Sequence, residues 1–285
     1  MPRLPLHPGA VWGIVKEVKA AAEDFRPLLI GGAFEAARKL REALVAGGDE
    51  QAVRDVSGRD LSPYDLEGAA LLLWCVEGER PSEEDEHVFR LADRKDVAAI
   101  SILVGAGAGA VADIPYVLAT DVIRVPSGAE IPLDIVAERI AERADEKGYS
   151  LAAKLPVLRP AVCESIVRRF SRQNGILGAA IFIPGADFPV LTLNQVRMVF
   201  RIAAAYGEEI DRERAVELLG VVGAGLGFRA VARQALGVVP VAGWAVKGGI
   251  AYAATRALGE AAIAYFEHGG TRGLVERVGS VRSGS

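Results

Sequence analysis

The first half of the chain alternates continuous apolar runs with amphipathic stretches. A continuous apolar run is typical of a strand that is buried on both faces of a sheet. The amphipathic stretches repeat apolar residues every three or four positions, which predicts helices with one buried face. The predicted strands cover residues 27–30, an edge strand at 52–58, then 69–78, 97–105 and 121–126; the predicted helices cover 10–25, 33–46, a stretch that starts at Ser82, and 133–147.

Strands that alternate with helices predict right-handed βαβ units and a parallel sheet. We therefore expect a small α/β domain over residues 26–150. Its sheet is predicted to be mostly parallel, with helices on its faces. An N-terminal helix within residues 1–25 precedes this domain.

Beyond residue 150 the strand pattern stops, and an all-α domain is expected over residues 151–270. Its first long helix begins near Arg159 and contains a candidate break at Asn174–Gly175. A second helix is predicted to be capped by Thr192 and ended by Gly207, because threonine favours helix starts and glycine favours helix ends.

Composition is that of a folded chain with a large core. The 285 residues are 51% hydrophobic, and the mean hydropathy is +0.25. The net charge of −4 lacks the basic surplus of a general nucleic-acid binder, so no nucleic-acid partner is expected. Cys75 and Cys163 lie in apolar surroundings, which predicts buried, reduced thiols. The first residues show no pattern of a secretory signal.

The stretch "GGAFEAARKL" follows a predicted strand and resembles the start of a phosphate-binding loop. That loop needs a second glycine, a lysine and a hydroxyl residue at fixed spacing. Counted from Gly32, these places hold Ala37, Arg38 and Lys39. Glu35 adds a negative charge where phosphate would lie. The sequence therefore argues against nucleoside triphosphate hydrolysis and leaves Arg38 as a candidate anion ligand.

A second glycine pattern, "VGAGAGA", follows the strand at 97–105 and matches the glycines of a dinucleotide fingerprint at Gly105, Gly107 and Ala110. The fingerprint also needs a complete helix and a second strand that ends in an acid. Pro115 interrupts the helix, and no such acid is present. A nucleotide-binding sensor or enzyme that uses residues 105–110 remains an alternative to a simple flexible loop.

Other chemical patterns predict no catalytic site. The acidic run "SEEDE" at 82–86 is interpreted as the first turn of a helix, where acids interact favourably with the helix dipole. The histidines are not spaced with cysteines as metal ligands are, so no metal is expected. No G-x-S-x-G motif is present. We expect no cofactor and no enzymatic activity.

Two Gly/Ala-rich stretches between residues 215 and 268 predict a helical hairpin, followed by a tail at 271–285. Small residues at close-packing spacing allow helix backbones to approach, as in membrane helices, but charged residues interrupt both arms. Two interpretations remain open: a tightly packed soluble helical pair, or a hairpin that enters one leaflet of a membrane. The candidate membrane or helix-packing residues are Gly223, Gly227, Pro240, Gly243, Trp244, Gly248 and Gly249.

The stretches "FIPGADFPVLTLNQVRMVFRIAAAYG" and "GVVPVAGWAVKGGIAYAATRALGEAAIAYF" resemble the YcjF-like domain of unknown function over about residues 155–268. This bacterial family is linked to membranes and to Era-type GTPase domains. The stretch "ALLLWCVEGERPSEEDEHVFRLADRKDVAAISILVG" is similar to the later strands of such a GTPase. Where the guanine-binding N-K-x-D would follow, this chain has "GAGAGA", so the resemblance implies a degenerate P-loop GTPase-like domain.

These observations together lead to one hypothesis. The protein is a non-enzymatic scaffold or regulator, with a pseudo-GTPase domain followed by a helical domain at the cytoplasmic face of the inner membrane. Its expected partner is a membrane surface or a membrane protein, and self-association is left open. A soluble cytoplasmic interaction module is the alternative that lacks a membrane role.

Overall fold

A computed structural model of the chain describes residues 8–107, 113–180, 188–211 and 244–269, together with Ala215 and Leu218. Contacts divide the chain into two compact units. The α/β unit comprises residues 21–162, and the helical unit comprises the chain up to Ala20 and the described residues from Cys163 onward. The sequence had placed these boundaries at 25 and 150.

The α/β unit is built on a parallel sheet, as predicted. Its five strands lie in the order β2-β1-β3-β4-β5, and every neighbouring pair is parallel. The short strand β2 is at an edge, as the sequence indicated. The strands are β1 (Leu28–Gly32), β2 (Val53–Asp55), β3 (Leu71–Glu77), β4 (Ala99–Val104) and β5 (Val122–Val125).

The core of this unit lies on both faces of the sheet, because the strands are apolar along nearly their whole length. Residues 71–76 of β3 are all buried, as are Leu28, Leu29 and Ile30 of β1. Helices cover these faces with the apolar residues of one stripe each. The helices are α2 (Phe34–Val45), α3 (Pro63–Leu66), α4 (Glu83–Arg94), α5 (Leu133–Arg143) and α6 (Gly148–Lys154).

Short polar motifs set where two of these helices begin. Ser82 is the N-cap of α4, and its hydroxyl accepts a hydrogen bond from the backbone N–H of Asp85. The Asp85 carboxylate in turn accepts from the N–H of Ser82. This capping box confirms that the run "SEEDE" starts a helix. A second capping box, between Ser62 and Asp65, starts α3 and lowers the pKa of Asp65 to about 2 through the hydrogen bonds from Ser62.

Among the described residues, the helical unit contains most of α1 and of α7, together with α8 and α9. Their bounds are α1 (Pro8–Glu23), α7 (Arg159–Ala180), α8 (Phe188–Ala205) and α9 (Trp244–Glu267). The Glu17 carboxylate of α1 accepts hydrogen bonds from Arg197 and Arg201 of α8, at 3.0 and 3.2 Å. The first arm of the predicted hairpin and the tail lie outside the described residues, apart from Ala215 and Leu218.

Two predictions about helix boundaries in this unit are wrong. The helix α7 continues through Asn174–Gly175 without a break, because the Asn174 side chain bonds to other helices instead of its own backbone. Thr192 does not cap α8, since the helix begins at Phe188 and Thr192 is buried inside it. Gly207 has a φ of +78° just after the last turn of α8, which confirms it as the helix end.

Candidate functional site

The carboxyl ends of β1 and β3 mark the place where this kind of sheet would bind a ligand. The chain continues outward in opposite directions from these two strands, and doubly wound folds with this strand order bind ligands at that crevice. The nearby loops carry the glycines of both sequence patterns. The geometry of these loops therefore decides which ligand chemistry the site allows.

The loop between β1 and α2 is a single residue, Ala33. Its N–H donates to the carbonyl of Cys75 at 2.8 Å, and Gly32 has a φ of +91°. A Cβ atom on Gly32 would overlap the Cys75 carbonyl oxygen. Strand and helix are therefore joined by a tight turn against β3, and no loop is left to wrap around phosphate groups.

Arg38, the candidate anion ligand, has two carboxylate partners on its own helix. Its guanidinium donates to Glu35 at 2.9 Å and to Glu42 at 2.7 Å. The hydrogen bond from Arg38 lowers the pKa of Glu35, so a negative charge is held in the first turn of α2. An anion at this helix start would have to compete with that carboxylate.

The indole of Trp74 covers the carboxyl end of β1. A Cβ atom on Gly31 would overlap the indole ring, so only glycine allows this close approach. The indole N–H donates to Asp85 of α4 at 2.7 Å. Trp74 is buried, and it connects β1, β3 and the start of α4.

We expect Trp74→Phe to lower the free energy of unfolding by about 1 to 2 kcal/mol, because a part-buried hydrogen bond to a carboxylate and some ring contact are lost. Urea denaturation followed by circular dichroism measures this change. Trp12→Phe is the matched control, since that indole is 41% exposed and is expected to change stability by less than about 0.5 kcal/mol. Equal effects of both variants would contradict the role given to the Asp85 bond.

Cys75 lies at the centre of the same region, and its thiol is unreactive. It pairs with Gly32 in the sheet, and burial raises the pKa of its thiol to about 12. The thiolate is the reactive form of cysteine, so this thiol stays protonated at physiological pH. Cys163 is also buried, which confirms the sequence prediction for both residues.

The loop after β4, which carries the candidate dinucleotide glycines, is described only at residues 105–107 and 113–118. Gly105 has a φ of +81°, and its N–H donates to Val125. A Cβ atom on Gly107 would lie 2.9 Å from a carboxylate oxygen of Glu79. No helix occurs in the described residues 113–118, and residues 108–110 lie outside the described residues. A carboxylate thus lies beside the second glycine pattern too.

The helical unit contains a buried polar cluster that the sequence reasoning missed. The Asn174 amide of α7 donates to Thr255 of α9 at 2.9 Å, and Gln195 of α8 donates to the same hydroxyl at 3.1 Å. The Asn194 amide donates to the side-chain oxygen (Oδ1) of Asn174 at 2.9 Å. Asn174 and Thr255 are fully buried. The sequence contains one sign of this cluster, because its amide residues lie inside otherwise apolar helical stretches.

Glycines bring α7 and α9 into close contact. A Cβ atom on Gly248 would lie 2.7 Å from the Gly175 carbonyl oxygen, and one on Gly178 would lie 2.8 Å from Ala251. Gly249 has open space instead. Of the other residues predicted for helix packing, Trp244 begins α9, while Gly223, Gly227, Pro240 and Gly243 lie outside the described residues.

The described residues lack the features of two other kinds of site. No helix there is both long enough and apolar enough to cross a membrane. In the same part of the chain, no three His, Cys, Asp or Glu side chains are grouped as metal ligands would be.

Fold and site together define a doubly wound α/β domain followed by a helical domain with glycine contacts and a polar core. Residues 143–282 match the family model for a domain of unknown function, DUF697. DUF697 is the YcjF-like family, so the match agrees with the resemblance noted for residues 155–268. It covers just under half of the chain. No curated protein matches the chain.

Proposed function

We propose that the protein is a non-enzymatic, membrane-associated scaffold or regulator. Its α/β unit is a pseudo-GTPase domain that holds no nucleotide, and its helical unit makes the contacts with a partner. The location we propose is the cytoplasmic face of the inner membrane. The DUF697 match supports the domain organisation, and that family description assigns no activity.

One observation carries the proposal for the α/β unit: both glycine patterns at the carboxyl edge of the sheet lie beside carboxylates. Glu35 lies in the first turn of α2, and Glu79 lies against Gly107. Phosphate groups bind where free backbone N–H groups and positive charges meet. A one-residue turn that is followed by the Glu35 carboxylate, and a second glycine loop with the Glu79 carboxylate against it, offer neither the space nor the charge that a nucleotide needs.

The GTPase-like origin of this unit is supported by its sequence resemblance and its parallel sheet. The resemblance spans β3, α4 and β4, which are consecutive elements of the sheet. The guanine-reading motif and the phosphate loop are both replaced in this chain. A domain of this kind keeps a stable surface for partners while it no longer carries the nucleotide chemistry.

Calorimetric titration of the full chain with GTP, ATP and NAD tests the proposal. We expect no saturable heat up to millimolar ligand, which corresponds to a binding free energy weaker than about −4 kcal/mol. Micromolar binding would overturn the proposal and favour a nucleotide sensor that uses residues 105–110. Gly107→Val is the discriminating variant, because a sensor would lose binding and an adventitious surface site would keep it.

A further inference from the structure

The exposed apolar side chains that the structure describes in the helical unit are concentrated at one end. Five of the described large hydrophobic residues with more than a third of their surface exposed lie there, and Trp12 lies apart on α1. Ile176 near the end of α7 is 69% exposed, the largest value among them. We call this set the apolar pole: Ile176, Val190, Val246, Ile250 and Tyr252.

Contacts between the helices show that these residues share one end. The Asn174 side chain donates to the Leu191 carbonyl, which joins the end of α7 to the start of α8. A Cβ atom on Gly175 would lie 3.3 Å from Tyr252, which joins the same part of α7 to the start of α9. Three helix ends therefore meet at the apolar pole.

Among the described residues, the charge at this end is low and positive. The stretches 173–180, 188–196 and 244–253 contain one charged residue, the exposed Lys247. Arg172, also exposed, lies one turn before Ile176. Apolar residues with cations beside them are the pattern of helices that rest in the interface of an anionic membrane.

The difference in net charge between the two units also favours a membrane surface as the partner of the helical unit. The helical unit, with residues 1–20 and 163–285, has 17 Lys and Arg residues against 11 Asp and Glu residues, whereas residues 21–162 have 16 against 26. The net negative charge of the chain therefore belongs entirely to the α/β unit. A basic unit is attracted to anionic headgroups, and an acidic unit is repelled by them.

The internal contacts of the helical unit are of a kind that persists in contact with lipid. Close glycine contacts join α7 to α9, and buried hydrogen bonds of Thr255 join α9 to both α7 and α8. Helices in membranes associate through small residues and interhelical hydrogen bonds, because water no longer drives apolar contact there. The polar cluster would therefore hold the three helix ends together at a membrane surface.

We propose that the apolar pole inserts shallowly into the interface of an anionic lipid bilayer, with Lys247 and Arg172 at headgroup level. This inference rests on the proposed membrane association and names the surface that performs it. The insertion is monotopic, and the described helices enter the interface without crossing it.

Vesicle flotation with the full chain tests this surface. We expect wild-type protein to float with vesicles of phosphatidylcholine and phosphatidylglycerol in equal parts, and to float less with phosphatidylcholine alone. The double variant Ile176→Asp with Ile250→Asp should lose at least about tenfold in vesicle affinity, since two apolar anchors become charged. Leu118→Asp, at a residue of the α/β unit that is 58% exposed, should bind as the wild type does.

The outcomes separate this inference from the proposed function. Thermal unfolding followed by circular dichroism gives the midpoint of each variant. Midpoints equal to that of the wild type show that a loss of flotation is not caused by unfolding. If the double variant floats as well as the wild type, the apolar pole is not the membrane surface, while membrane association stands. If the wild type does not float, membrane association itself fails. A dimer seen by light scattering that the double variant disrupts, without flotation, would identify the pole as a protein interface and overturn the inference.

Discussion

Gly32→Ala should lower the free energy of unfolding of the α/β unit by more than about 3 kcal/mol. The added Cβ would overlap the Cys75 carbonyl oxygen and lie 2.9 Å from the backbone nitrogen and carbonyl carbon of the same residue. These are backbone atoms of a central strand, so they cannot move aside as a flexible side chain can. The φ of +91° adds the cost of a left-handed conformation, about 1 kcal/mol or more.

Gly58→Ala is the matched control for this change. Gly58 also has a positive φ, of +70°, but a Cβ atom there would meet no atom within 4 Å. We expect about 1 kcal/mol of destabilisation from the conformation alone. Urea denaturation of both variants, monitored by tryptophan fluorescence and circular dichroism, measures the difference. A similar cost for the two glycines would show that the turn after β1 is not packed against β3 as described.

Gly248→Ala and Gly249→Ala should change the stability of the helical unit in opposite directions. At Gly248 the new Cβ would lie 2.7 Å from the Gly175 carbonyl oxygen and 3.0 Å from Ala179, so α7 and α9 would have to separate. We expect a loss of about 2 kcal/mol after the gain in helix propensity is included. At Gly249 nothing lies within 4 Å, and alanine should stabilise the helix by about 0.5 to 1 kcal/mol.

The two neighbouring glycines make this a sensitive test, because the variants have the same composition and differ only in helix face. Thermal unfolding followed at the helical circular dichroism signal gives the two midpoints. The midpoint should fall for Gly248→Ala and rise for Gly249→Ala. If both rise, the contact between α7 and α9 is absent, and the buried Asn174–Thr255 bond would lose its structural support as well.

The sequence predicted the sheet well because the signal is local. A strand buried on both faces is apolar at every position, and β3 and β4 have that pattern along nearly their whole length. The capping residue of α4 was found for the same reason, since Ser82 and Asp85 are three positions apart. Strand order depends on long-range contacts, so it could not be read from these patterns.

The helix boundaries in the second half were harder to predict because side chains there bond across helices. Asn174 before Gly175 is typical of a helix end when only local bonding is considered. Its amide instead bonds Thr255, which lies 81 positions away in the sequence. Thr192 was assigned as a cap by the same local rule, although its side chain is buried within α8. A long-range partner determines the role of Asn174, and burial determines that of Thr192.

The sequence rules also predicted part of the candidate site. The exclusion of a phosphate loop rested on missing side chains, and the structure adds the one-residue turn at Ala33. The position of Trp74 over Gly31 had no sequence signal, because the two residues are adjacent only through strand pairing. The carboxylate of Glu79 beside Gly107 depends on neighbouring strands in the same way.

The grouping of α1 with the last helices determines the order in which the chain can fold during synthesis. Glu17 leaves the ribosome first, but Arg197 follows 180 residues later. The α/β unit is continuous from residue 21 to 162, so it can fold before the helices that pack with α1 have been synthesised. The buried face of α1, which includes Val11, Val15 and Val18, therefore remains available to chaperones throughout that interval.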